Sequence, residues 1–83
     1  MRKENIDEEI KLTFASNIKY LIKMRIMSAQ NIAKIVDKGE NVVYKWAQGK
    51  REPTFGDVIK LARFLNVSVD ELGTGDISKT IKK

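Results

Sequence analysis

The chain has 83 residues, 42% of them apolar, with neither Cys nor His and a net charge of +5, enough for one small domain around a thin core. Without thiol or imidazole it has no disulfide, no zinc-finger site and no Cys–His or Ser–His catalysis. No apolar run approaches membrane-spanning length and the opening MRKENIDEE lacks the apolar stretch of a signal peptide, so the expectation is a soluble, cytoplasmic protein with no membrane partner.

Met1–Asn5 is polar and expected to be loose. Asp7, Glu8 and Glu9 suit a first helical turn, whose positive dipole end favours acids. Ile10, Phe14, Ile18, Leu21, Ile22 and Arg25 recur three and four apart. This spacing predicts one amphipathic helix from about Asp7 to Arg25, with a break at Thr13 as the alternative. Phe14, Ile18 and Leu21 are its core candidates. Lys19 and Lys23 read as a solvated face. Met27, in the connection that follows, is an inward plug.

Ser28 is a good N-cap for a helix over Ser28–Val36, where Ile32, Ala33 and Val36 repeat at helical spacing. After Asp37-Lys38-Gly39 a second short helix runs to about Ala47. Val43, Trp46 and Ala47 share one face of it, and Glu40, Asn41, Tyr44, Lys45 and Gln48 another. Two short helices, a tight turn between them and a polar outer face on the second form a helix-turn-helix pattern, whose second helix can enter a DNA major groove. Charge placement agrees. Residues 14–54 hold eight basic and three acidic side chains, the equal of the whole net charge. That suits a polyanion, although a solubilising surface would look the same.

Gly49 suits a left-handed helix end, and Pro53 prevents helix from continuing. Thr54 with Asp57 is an approximate capping box opening a helix whose buried face is Phe55, Val58, Ile59, Leu61, Ala62 and Leu65. Asn66 can stop it in the left-handed conformation. Ser68 with Glu71 opens a last short helix through Leu72. Asp76–Lys83 is expected to fray. Ile77 and Ile81, four apart, allow one more helical turn, against a partner. The division expected is 1–13 as an extension lengthening the first helix, 14–73 as the domain and 74–83 as a basic tail.

Phe14 through Leu72 resembles the Cro and phage-repressor (XRE-like) type of helix-turn-helix domain. The likeness rests on FASNIKYLIKMR, on Ala33 and Val43 at the two packing positions, and on WAQGKREPTFGDVIKLARFLNVSVDEL. It implies an all-α, five-helix bundle of the lambda-repressor-like type with a central helix-turn-helix. There are departures. Asp37 stands where the family's turn usually has Gly. Ile26 stands where the first helix usually stops at Gly; positive φ would be costly for a β-branched residue, so a different backbone is expected there. Ala29 follows Ser28 where the family often has a phosphate-touching Gln, and Gln30 comes one residue late. Ile22 and Ala47 replace an Arg–Glu ion pair that many relatives bury. Losing both partners of such a pair can be neutral, whereas losing one strands a charge.

The resemblance implies sequence-specific binding of double-stranded DNA, by a transcriptional repressor or regulator associated with the nucleoid. Asn41 can bond bidentately to adenine, Lys45 can donate to guanine and Glu40 can accept from cytosine. Tyr44 can reach a phosphate or lie beside sugar, and Val42 can touch a thymine methyl. Lys50 and Arg51 match the family's phosphate-contacting loop. Ser28, Gln30, Lys38 and Gln48 are further phosphate candidates. Lys19 and Lys23 rank behind them, a solvated face being the reading preferred for both. So few contacts call for a homodimer on a palindromic site with half-sites about one helical turn apart. No second domain follows within these 83 residues, so the dimer surface is expected on the last helix and the tail. The alternative is a protein-interaction module on the same fold, an antitoxin or antagonist, which Asp37, Ala29 and Glu40 favour. No cofactor, metal, small-molecule substrate or catalysis is expected. Gly73-Thr74-Gly75 reads as a chain-end turn and only a fragment of a phosphate loop.

Overall fold

A computed structural model describes residues 3–81. It contains α1 (Lys3–Lys23), α2 (Ala29–Val36), α3 (Glu40–Ala47), α4 (Phe55–Leu65), α5 (Val69–Gly73) and a 3₁₀ turn, Ile77–Lys79. The described chain is all-helical. Helix α1 is unbroken through Thr13 and begins four residues before Asp7. Of the start expected to be loose, Lys3–Asn5 is helical, and Met1 and Arg2 lie outside the described residues. So do Lys82 and Lys83 of the tail.

Three helices start with the same reciprocal bond pair. The hydroxyls of Ser28, Thr54 and Ser68 accept the backbone N–H of Asn31, Asp57 and Glu71, whose side chains accept the cap's own N–H. Each pair satisfies two donors that a helix start leaves orphaned. Four helices end alike too. Arg25, Asp37, Gly49 and Asn66 have φ of 59°, 58°, 71° and 59°. After each, the next N–H reaches back to the last turn, as in Ile26 N–H to Leu21 O (2.9 Å) and Lys38 N–H to Ala33 O (2.9 Å). This is the Schellman closure, which turns the chain sharply while satisfying orphan carbonyls. Ile26, the residue at the family's glycine place, is spared positive φ because Arg25, one residue earlier, takes it.

The core gathers on Phe14, Ile18 and Leu21 of α1, with Met27, Ile32, Val36, Val43, Trp46, Leu61 and Leu72 around them. Phe14 and Trp46 meet edge to face, with ring centroids 5.5 Å apart. Trp46 is therefore core, 1% exposed, with its indole N–H buried and unpartnered. Two expectations are corrected. Phe55 is 73% exposed. It is the first residue of α4, and the inward stripe there has no neighbour to cover it. Ile77 is fully buried inside its own chain, so it neither frays nor awaits a partner. The segment after Gly73 folds back over α1, where Asn17 bonds the Leu72 and Gly75 carbonyls and the Ile77 N–H. Tyr20 adds a bond from its hydroxyl to Ile81 O (2.9 Å).

Candidate nucleic-acid interface

The α2–α3 unit is held from inside. Ala33 (4% exposed) and Val43 (0%) are both buried in the core that the two helices share. Ile32 and Val36 of α2 and Trp46 and Ala47 of α3 anchor them to the core. The turn between them needs one left-handed residue, Asp37, and an extended Gly39. A β-carbon at Gly39 would lie 2.7 Å from Asn41 Oδ1, so glycine leaves room for Asn41 to fold over the helix start.

The outward side of α3 presents Glu40, Asn41, Lys45 and Gln48, all exposed, and Tyr44, 49% exposed. No side chain of the described chain hydrogen-bonds or pairs with these groups, which leaves their donors and acceptors available. Val42 differs. It is half-buried and packs against the core, so its share of any outer surface is small. Ser28 and Gln30 are exposed at the start of α2. The Ser28 oxygen already accepts the Asn31 N–H (3.0 Å), and its own proton remains free to donate. Ala29 is buried (4%), so its position points inward and Gln30 is the neighbour that faces solvent.

Lys38 is more committed than its sequence position suggests. Its Nζ lies 3.5 Å from Asp57 Oδ1, and that carboxylate is almost wholly buried. Asp57 also caps α4 by accepting the Thr54 N–H (3.0 Å). Lys38 thus ties the α2–α3 turn to the start of α4. Lys50 and Arg51 are exposed in the loop beyond Gly49 and before Pro53. Ile22 and Ala47 line one shallow apolar groove between α1 and α3. Where relatives were expected to bury an ion pair, this chain thus juxtaposes two apolar side chains.

Among the described residues no helix is long and apolar enough to cross a membrane. No curated protein and no solved structure matches the chain. A helix-turn-helix family model matches residues 18–72, well over half of the sequence, and spans α2, the turn and α3. With that match laid over two crossed short helices and a free polar flank, the chain belongs to the Cro/phage-repressor (XRE-like) helix-turn-helix family of DNA-binding transcription regulators.

Proposed function

We propose that this chain is a sequence-specific regulator, a repressor binding a palindromic operator as a homodimer, with α3 as the helix that reads the major groove. The observation that carries the reading is the uncovered row Glu40, Asn41, Tyr44 and Lys45 on the outer side of α3. Asn41 and Lys45 offer donors and acceptors suited to adenine and guanine edges, and Glu40 an acceptor for cytosine. Val42, half-buried, is at most a methyl contact. Ser28 and Gln30 at the start of α2, and Gln48, Lys50 and Arg51 after α3, would hold phosphates and set the register. Lys38 contributes charge from within its ion pair with Asp57. The reading places the protein in the cytoplasm, on the nucleoid.

Selection of bound sequences from random duplexes tests this directly. The expected product is a motif of two-fold symmetry with half-sites about one helical turn apart. Asn41→Ala should then lose about 1–3 kcal/mol of discrimination at one base pair of each half-site. Failure of any motif to enrich refutes the reading. The protein-interaction alternative loses part of its support, because Ala29 faces the core and Asp37 completes a normal turn.

A further inference from the structure

We infer that Lys19 and Lys23 of α1 and Arg25 of the α1–α2 turn form a second contact with the DNA backbone, a cationic flank beside α3. The inference rests on the DNA reading above and adds residues outside the two-helix unit.

Tyr44 is the pivot. It stands on the outer side of α3 and at the same time walls two shallow grooves against α1. One groove has Ile22 and Ala47 as its floor and Lys19 and Lys23 at its rim. The other takes in Arg25 and Ser28. Three cations therefore line the two grooves that Tyr44 walls, next to the start of α2. Lys19 and Lys23 lie four apart on one face of α1, about 6 Å along its axis.

All three are exposed. Among the described residues the carboxylates that form ion pairs do so with Lys11 and Lys38, and none pairs with this flank. Glu40, one turn before Tyr44 on α3, is exposed and makes no ion pair with it either. The floor of the first groove is wholly apolar, so no internal anion competes for Lys19 and Lys23. Arg25 holds its φ of 59° as part of the Schellman closure that ends α1, which leaves its side chain exposed at the turn. A row of phosphodiester anions with apolar sugar between them matches cations around an apolar floor and an aromatic ring.

The test is the salt dependence of binding, using the selected duplex and an unrelated duplex as probes. Each phosphate contact contributes a slope of about −0.9 in log K against log salt. The variant K19A/K23A/R25G removes the three charges and gives the turn the residue that suits it. Its slope should flatten by about 2–3 for both duplexes, with base preference unchanged. K19Q/K23Q, with Arg25 kept, should flatten it by about 2 and serves if the triple variant melts early. K60A/R63A removes two exposed charges from α4 and should leave the slope as it is. The proposal is overturned if both flank variants keep the parental slope, if K60A/R63A flattens it as much, or if base preference shifts. A parental slope retained by the flank variants while Lys50→Ala flattens it removes the flank and leaves the DNA reading standing. A wild-type protein whose binding ignores salt removes both.

Discussion

The Asn17 side chain, 3% exposed, donates to Leu72 O (2.7 Å) and Gly75 O (3.0 Å) and accepts from Ile77 N–H (3.3 Å). One amide on α1 thus serves three backbone groups of the C-terminal segment. Truncating it leaves those groups buried without partners, at about 1–3 kcal/mol each for the ones water cannot reach. Asn17→Ala should therefore lower the unfolding free energy by about 3 kcal/mol in urea titrations, and a loss under about 1 kcal/mol would contradict this role. Lys38 raises a different question, since it is a proposed phosphate contact yet pairs with buried Asp57. Breaking a buried pair costs about 3–5 kcal/mol, but the lysine is part-exposed, so Lys38→Ala should cost about 1–2 kcal/mol. Its melting temperature should fall more clearly than its DNA salt slope changes. The reverse pattern would make it a phosphate ligand first. Neither partnership is legible locally, because Asn17 lies 55–60 positions from its partners.

Within elements, the crossing of α2 and α3 depends on Ala33 being small. It is 4% exposed in the core that both helices share, and a leucine there would have to displace its neighbours. Ala33→Leu should destabilise by about 1–3 kcal/mol through overpacking and should blunt DNA binding by moving α3, as denaturation and gel-shift measurements would register. Unchanged stability would mean the helices do not meet there. At the other end of the chain, α5 and the 3₁₀ turn are joined by Glu71. Its carboxylate accepts the Ser68 N–H (2.8 Å) and the Thr80 hydroxyl (2.7 Å), and these bonds, the Ser68 one foremost, hold its pKa below the ordinary carboxylate value. A folded-state pKa that is lowered gives stability present above the unfolded pKa and lost as pH falls through the folded one. Acidification below the usual carboxylate range should thus loosen the C-terminal segment, and Glu71→Gln should flatten that pH dependence. Thermal melts across acid pH that superimpose for the two proteins would remove Glu71 from the account.

For the molecule as a whole, the C-terminal segment bears on the proposed dimer. With Ile77 consumed by the chain's own core, the face expected to receive a partner is partly spent. What α5 and the turn leave outward is mostly polar, while Phe55 and Phe64 of α4 remain 73% and 64% exposed. The charge arrangement is likewise a property of the assembled chain. Lys19, Lys23 and Arg25 belong to one helix and its exit turn, and only the packing of α1 against α3 brings them into the grooves that Tyr44 lines.

The sequence by itself determined where α2, α4 and α5 begin and where α4 ends. A cap or a left-handed stop acts within three or four residues, so Ser28, Thr54 with Asp57, Asn66 and Ser68 with Glu71 could be read one at a time. It also determined the inner faces of α2 and α3, since Ile32, Ala33, Val36, Val43 and Trp46 follow helical spacing. Only the tertiary structure decided which apolar side chains on such a stripe meet a neighbour. Phe55 does not and Ile77 does, because burial depends on what packs opposite, and that surface comes from distant parts of the chain. The same dependence hid Asn17, whose partners are brought together by folding alone.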